Sequence, residues 1–567
     1  MANYIIKDRE VNTEFETKLI QQGITPLMAR LWAARGVSDI EQTQTQWKQM
    51  LAPNLLTQVE YGAQLLADAI ETGKRLLIVA DYDCDGATAC AVGVRALRMM
   101  GAQVDFMVPN RFETGYGLSP AVIDVILRQV VPKPDILITV DNGIASVDGV
   151  AAAKAHGMEV IVTDHHLPGD ELPDALAIIN PNQVACDFPS KNLAGVGVIF
   201  YTMLALRAEM RARGHFNNRP EPKLDALADL VALGTVADVV KLDSNNRIFV
   251  SQGLAKMRAG QMQAGIQALF TVASTDPRQA SAMDLGFKIG PRINAAGRLA
   301  DMSIGIRCLL TDDFAEALEL AQELDQWNHS RRSIEQNMSE QAMVTLYSED
   351  FPLKHSICIF NADWHQGVVG IVASRLKEKF WKPTLAFAPG DNGEIRGSGR
   401  SVPDVHLRDA LDLVSKRHPH LIAKFGGHAM AAGLTIAEAD FETFIHAFDQ
   451  AVVDISGKTE FAPIIETDGS LNPLYASADT AIELNNMVWG AGFPAPIFRD
   501  VFEIRSQRLL KDKHLKLQVA RHNMVFDAIW FNHNEALPPS VELIYELSPN
   551  YWNGNVTLQF MVRHAIY

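Results

Sequence analysis

Three carboxylates, Asp81, Asp83 and Asp85, fall within five residues, directly after the apolar run Leu76 to Ala80. Charges of one sign packed that closely repel, and at the end of a buried strand they call for a cation. A second apolar run, Asp135 to Val140, ends in Asp141-Asn142-Gly143, and a third, Glu159 to Thr163, ends in Asp164-His165-His166. One aspartate after a strand is ordinarily a helix cap or a turn former. Three strand ends that together carry Asp81, Asp83, Asp85, Asp141, Asp164, His165 and His166 are not explained that way. Asp238 is a further candidate, because it lies in the otherwise apolar stretch Ala232 to Val240, where an unpaired carboxylate is costly. Carboxylate and imidazole without thiolate suit Mn²⁺ or Mg²⁺, and the imidazole tilts the choice towards Mn²⁺. There are enough carboxylates to bridge two ions, and ions about 3.5–4 Å apart are the usual means of in-line phosphate-ester hydrolysis.

The elements that must position these groups alternate. Tyr61 to Thr72 reads as a helix, Arg75 to Ala80 as a strand, Ala87 to Met100 as a helix and Val104 to Val108 as a strand. Ser119 starts the next helix, with Pro120 at its first position. Such alternation implies a mostly parallel sheet, and sites in such sheets gather at the carboxyl ends of the strands. The fold expected is a multidomain α/β chain. Residues 1–50 read as a small helical cap in which Trp32 and Trp47 pack, and residues 51–310 as the catalytic domain. Residues 311–347, rich in Ala and Glu and free of proline, read as one connecting helix, with Arg331-Arg332 on a solvated face. Residues 348–455 form a second α/β domain, and 456–567 a run of strands that fits a five-stranded OB-like barrel.

Several stretches of the second half could meet a nucleic-acid backbone. Arg292, Asn294 and Arg298 fall in a glycine-flanked stretch, Gly290 to Arg298, read as a loop. Arg396-Gly397-Ser398-Gly399-Arg400-Ser401 reads as a basic loop whose glycines let its backbone approach phosphates. Phe425-Gly426-Gly427-His428 reads as the opening of a helix. Lys511, Lys513, His514 and Lys516, next to aromatics, could hold a single strand by charge and stacking, while Phe526 and Trp530 read as core.

The bulk properties set limits. A chain of 567 residues is too long for one core. No apolar run is long enough to span a membrane, and Met1 to Tyr4 lack the pattern of a signal peptide. The five scattered cysteines, none in a Cys-x-x-Cys, fit a reducing cytoplasm and argue against zinc modules. A net charge of −16 speaks against a general nucleic-acid binder, although Lys and Arg cluster locally at Arg396 to Arg400 and Lys511 to Arg521.

Taken in order, Asp81 to Gly86, Asn110-Arg111 with Gly115-Tyr116-Gly117, Val140 to Gly143, Asp164-His165-His166 and Gly234 to Asp238 resemble the DHH phosphoesterases, named for that triplet. Gly290 to Arg298 is similar to a signature of the bacterial single-strand-specific DNA exonucleases within that superfamily, and the resemblance runs from about residue 50 to the end. It implies a DHH catalytic domain, a DHHA1-like second domain, and metal ligation by Asp83, Asp85, Asp141, His165 and Asp238. Asp141 would bridge two ions, His166 would meet the scissile phosphate or a bound water, and Asp81 would support the network. Where related enzymes often carry a histidine, this chain has Val79. Contacts to DNA would come from Arg111, Tyr116, Arg292, Asn294, Arg298, Arg396, Ser398, Arg400, Gly427 and His428. The implied activity is 5′→3′ exonucleolytic release of 5′-mononucleotides from single-stranded DNA in recombination and repair, mismatch repair included. A single-strand-binding protein and a RecQ-type helicase are the implied partners of a monomeric enzyme. Other relatives cleave pyrophosphate, short oligoribonucleotides or cyclic dinucleotides, and some are replication scaffolds with eroded sites. The intact ligand set argues against a scaffold.

Overall fold

The structure, a computed structural model, describes residues 4–110, 114–348, 354–552 and 554–567. The chain forms two compact units: residues 8–325 with 467–567, and residues 326–466 with the segment ahead of Asp8. It opens on a strand, β1 (Ile5–Asp8), before helices α1 (Thr13–Gln21) and α2 (Pro26–Ala33), so the first fifty residues are not purely helical. Trp47 packs where its apolar body implies, with its ring 5.9 Å from Phe200 and 6.3 Å from Phe249.

After α3 (Val59–Glu71) comes the expected alternation: β2 (Arg75–Ala80), α4 (Cys84–Met99), β3 (Gln103–Met107), α5 (Pro120–Gln129), β4 (Ile136–Val140), α6 (Val147–Ala155), β5 (Glu159–Thr163) and a short edge strand, β6 (Ala177–Ile179). The five strands form one parallel sheet in the order β3-β2-β4-β5-β6. Both faces are covered, which is why the strands are apolar throughout rather than alternating. Along β2, Leu76, Ile78 and Ala80 enter the core shared with α3 and α4, while Leu77 and Val79 enter the one shared with α5 and α6. Helix α4 begins at Cys84, three residues before the apolar pattern suggests. Asp83 caps it, its carboxylate accepting from Gly86 N at 3.0 Å.

The helical layer continues with α7 (Gly195–Ala212), α8 (Ala228–Ala237), α9 (Ser244–Arg258), α10 (Ala264–Val272), the single turn α11 (Ala282–Asp284), a π-turn (Leu285–Ile289), α12 (Gly290–Leu299) and α13 (Ser303–Leu310). Gly290 to Arg298 is therefore helix and not loop; its proline, the second residue of α12, follows directly on the π-turn. The long helix α14 (Phe314–Leu346) follows.

The smaller unit contains β7 (Ile357–Phe360), α15 (Val369–Phe380), β8 (Thr384–Pro389), β9 (Glu394–Arg400), α16 (Leu407–Arg417), β10 (Lys424–Gly427), β11 (Ala431–Ala437) and α17 (Phe441–Ser456), with a mixed sheet ordered β10-β11-β9-β8-β7. Two readings of the sequence are corrected here. Arg396 to Arg400 is a strand, and its glycines face the core: a Cβ on Gly397 would lie 2.5 Å from Phe387, and one on Gly399 2.6 Å from Leu385. Their small size is required for packing. Phe425 to Gly427 is also strand; the chain turns at Gly427 (φ 144°) into a hairpin closed by His428 N donating to Ala431 O at 2.8 Å.

Strand β12 (Ile464–Thr467) pairs with β1 and takes no part in the barrel. An unforeseen helix, α18 (Ala478–Asn486), precedes the barrel strands β13 (Phe498–Leu510), β14 (His514–Arg521), β15 (Met524–Trp530), β16 (Ser540–Trp552) and β17 (Asn555–Ile566), closed in the order β13-β14-β15-β17-β16. Phe498, Phe502, Tyr545 and Phe560 fill it, and Phe526 stacks on Phe560 at 4.7 Å. Leu27, Met28 and Leu31 of α2 belong to this same core, while Ala29 belongs to the core of the parallel sheet.

A buried ion pair fastens this junction. Asp468 accepts from Arg35 at 2.9 and 3.0 Å, from Arg9 at 3.2 Å and from Ile497 N at 3.0 Å. The Arg35 side chain is 1% exposed. Removing one partner of such a pair strands the other charge, so Asp468→Ala should cost about 3–5 kcal/mol. Urea unfolding should show this as a lower midpoint at unchanged slope. A midpoint equal to wild type would show that the pair does not hold the junction.

Candidate metal centre

Strands β2, β4 and β5 are neighbours in the sheet, so their carboxyl ends converge and deliver Asp81, Asp83 and Asp85, then Asp141, then Asp164, His165 and His166 to one place. Asp238 arrives from the end of α8. Among the described residues, three sets of ligand atoms lie within 4.8 Å of one another: Asp85 with His165 and Asp238; Asp81 with Asp83 and Asp141; Asp141 with His165 and His166. Asp141 and His165 each belong to two sets. Asp83 and Asp85 fall in different ones.

The scaffold works through backbone hydrogen bonds. Gly195 N and Val196 N, at the start of α7, donate to the Asp85 carboxylate at 2.6 and 2.9 Å. A helix N-terminus favours such a charge. The approach requires glycine: a Cβ at Gly195 would lie 2.6 Å from Asp141 Cβ. Asp141 itself sits at φ 62°. Next to it, the Asn142 amide donates to Val79 O at 3.1 Å and Val140 O at 2.9 Å, tying the ends of β2 and β4 together. Asp164 is saturated, accepting from His165 N (2.7 Å), His166 N (3.1 Å), His166 Nδ1 (2.8 Å) and Ile144 N (3.0 Å), which makes it an anchor for the histidines. Asn180 and Asn182 hold the carbonyls of His166 and His165 at 2.9 and 2.5 Å. None of Gly195, Asn142, Asn180 and Asn182 stands out by type alone; the one local signal is Asn180-Pro181-Asn182 directly after an apolar strand.

Electrostatics follow from this wiring. Burial, then the neighbouring Asp83 charge, raises Asp85 to about 7 despite its two backbone donors. Burial and the surrounding carboxylates push Asp141 and Asp238 well up. Burial, then the charge of His166, lowers His165 to about 4, so its imidazole is neutral and free to ligate. Burial alone would lower His166, but its bond to Asp164 and the nearby acids prevail and raise it to about 9. Asp164 is held low, its burial outweighed by the same bond. Cys84 is no thiolate: burial and the flanking carboxylates raise it.

The donor set fits divalent cations. Asp141 Oδ1 and His165 Nε2 lie 3.0 Å apart, both buried, and neither has a hydrogen-bond partner among the described residues. Buried polar atoms left without partners at the meeting point of a carboxylate cluster are what absent cations would leave behind. Val79 is packed in the core under α5 and α6 and offers nothing to this site.

The other predicted residues divide. Tyr116 reaches the site, its hydroxyl 3.3 Å from Asp141 O and 3.4 Å from the His166 ring. Arg111 lies outside the described residues. Arg292 is buried, 2.9 Å from Asp325, and donates to Lys288 O, so it is a packing residue rather than one offered to solvent. Asn294 accepts from Cys84 N at 2.8 Å and so docks α12 against the Asp81–Gly86 turn. Arg298 follows in the last turn of that helix. In the smaller unit, Arg396, Ser398 and Arg400 share the less buried face of β9, with Arg396 bonded to Gln366 and Asp391, and Arg400 to Ser398. Gly427 and His428 form the β10–β11 turn of that unit. In the barrel, Lys511 and Lys513 lie on the β13–β14 turn, and Lys516 is 3.4 Å from Asp527.

A parallel sheet with acidic strand ends and this triplet defines a DHH-type phosphoesterase domain, and comparison with known proteins agrees. The DHH family N-terminal domain matches residues 75–235, the DHHA1 domain 353–454 and the RecJ OB domain 467–564. The single-stranded-DNA-specific exonuclease RecJ of Salmonella typhimurium is 45% identical over 561 residues, covering 96% of this chain and 97% of that protein. That of Escherichia coli is 45% identical, covering 98% of each. The crystal structure of Thermus thermophilus RecJ in complex with Mn²⁺ superposes with a TM-score of 0.82 at 27% identity, covering 100% of this chain and 79% of that one; its Mg²⁺ complex gives 0.77. The chain belongs to the RecJ family.

Two outcomes test the site. Asp85 has a folded value near 7, above its unfolded one, so its protonation stabilises the ion-free fold at low pH and this is lost as pH rises through about 7. Ions need the deprotonated form, so the rise in Tm caused by Mn²⁺ should be larger at about pH 8 than at about pH 5.5. An equal rise at both would mean that these carboxylates do not take the ion. Asn294→Ala should weaken Mn²⁺ affinity by about 10–100-fold, as loss of outer support does. Unchanged affinity by titration calorimetry would reduce Asn294 to a helix-packing residue.

Proposed function

We propose that this protein is a metal-dependent exonuclease that degrades single-stranded DNA from its 5′ end to 5′-mononucleotides. The observation that carries the reading is that Asp83, Asp85, Asp141, His165 and Asp238 fall in adjoining ligand sets linked through Asp141 and His165, in a chain 45% identical to named single-stranded-DNA-specific exonucleases over almost its whole length. Asp85, His165 and Asp238 would hold one ion, Asp83 the other, with Asp141 shared between them and Asp81 in support. Bound there, divalent ions lower the pKa of water and offset charge on the phosphoryl oxygens.

The chain's own residues do the rest. Asp164 keeps His166 protonated near neutral pH with its ring aligned, and the side chain is 35% exposed. In this reading His166 donates to a non-bridging oxygen of the scissile phosphate. The Tyr116 hydroxyl is kept protonated by burial and by the surrounding acids, and gives a second donor at the rim. Arg298 on α12, the outward side chains of β9, the His428 turn and the barrel lysines are the proposed grips on the DNA backbone. A single-strand-binding protein and a RecQ-type helicase as partners, a monomeric state, a cytoplasmic location and a role in recombination and repair complete the proposal by family resemblance.

The test is digestion of 5′-phosphorylated single-stranded DNA with Mn²⁺, which should yield mononucleotides from the 5′ end and leave a blunt duplex intact. A preference for short RNA or dinucleotides would replace the substrate assignment. Asp141→Ala should lower kcat by on the order of 10³-fold or more, as loss of a transition-state charge group does, while DNA affinity changes far less. Equal loss of binding and turnover would refute its catalytic role.

A further inference from the structure

Three costly features coincide at the carboxyl end of α8, beside Asp238. Val239 adopts φ 62°, a left-handed conformation that suits glycine or asparagine and strains a β-branched side chain, and it is 70% exposed. The π-turn Leu285–Ile289 is pressed against the same end of α8: a Cβ on Gly290 would lie 3.2 Å from Ala237 Cβ, and one on Gly286 3.4 Å from Val236 Cγ1. π-turns are rare and concentrate at functional sites. This one holds Phe287, 68% exposed, between those two glycines, with Met283, 58% exposed, four residues earlier on the same face. Local physics favours a different choice at each position: glycine at 239, polar side chains at 283 and 287.

We propose that Val239, Met283 and Phe287 form an apolar ledge on which a nucleobase of the bound strand stacks, positioning the strand for cleavage without touching the reacting phosphate. The proposal rests on the nuclease reading above. A base is favoured over an apolar protein surface by position, because Val239 is one peptide bond from Asp238, and a strand whose phosphate reaches that carboxylate passes beside it. Its composition agrees: one aromatic face flanked by aliphatic side chains accepts any base, since every base has a π-face. Lys241 and Lys288, both exposed, follow Val239 and Phe287 closely in sequence and supply positive charge for neighbouring phosphates. Lys288 is also 2.7 Å from Asp284, an exchangeable surface pair.

An abasic scan of the substrate provides the test, with the full chain and Mn²⁺. In wild type, removing one particular base near the cleavage site should raise KM about tenfold, within the range found for stacked bases. Phe287→Ala should raise KM on the intact strand by a similar factor, affect kcat less, and become indifferent to the abasic position. Val239→Gly should also raise KM while leaving Tm equal or higher, because strain is relieved; a merely structural role would lower Tm instead. Wild-type KM in Phe287→Ala, or a base penalty that persists undiminished in that variant, overturns the ledge and leaves the surface to a protein partner. Absence of any cleavage of intact single strands by wild type overturns the nuclease reading itself.

Discussion

The crowding of buried carboxylates at the ends of three adjacent strands is the constraint on which the rest of this structure depends. Left alone, Asp85, Asp141 and Asp238 take up protons, because burial and mutual repulsion outweigh every donor nearby. Asp164 shows how far wiring decides the outcome. It is as buried as Asp141, yet four donors hold it ionised. Asp141 has one oxygen with no donor among the described residues. One residue type thus serves as anchor in one place and as waiting ligand in another, and the difference lies in the donors that reach it, the His166 ring first among them for Asp164.

Much else follows from keeping that arrangement in place. The start of α7 must approach two carboxylates, so position 195 is glycine. The turn after β4 must swing Asp141 inwards, so it adopts a left-handed conformation, and Asn142 ties it to the neighbouring strand. Helix α12 reaches across to cap the amide of Cys84. The arrangement carries strain and unpaired polar atoms that a purely structural domain would lack, and cations are the economical way to relieve them.

The sheet and its chemistry were largely legible in the sequence. Apolar runs that end in acids mark buried parallel strands, and β2 and β5 fall on the residues that pattern predicts. Where it misled, the cause is specific. Strand β9 alternates with period two, but its inward positions are glycines, so the hydrophobic half of the signal is missing and the stretch reads as loop. Gly290 to Arg298 carries glycine at both ends and a proline, which mimic a turn although all are tolerated where they sit. The supporting asparagines left little trace, because their bonds join backbone atoms remote in sequence; Asn294 and Cys84 are 210 positions apart. Asn294 and Arg292 thereby took roles in holding the protein together that their residue types alone assign equally well to a ligand.

The apolar face that α2 shows to the barrel sets a timetable for the growing chain. Arg30 on that helix bonds to Ser470 O, 440 positions later. At about 5–20 residues per second, synthesis leaves Leu27, Met28 and Leu31 waiting roughly 20–90 s for the strands that cover them. Where family matching places a separable module from residue 467 onwards, the core recognises none, since an early helix seals a late barrel. Synthesis of the barrel strands, rather than completion of the sheet, is therefore the event that closes the larger unit, and a ribosome that stops before them leaves an uncovered patch on an otherwise finished catalytic layer.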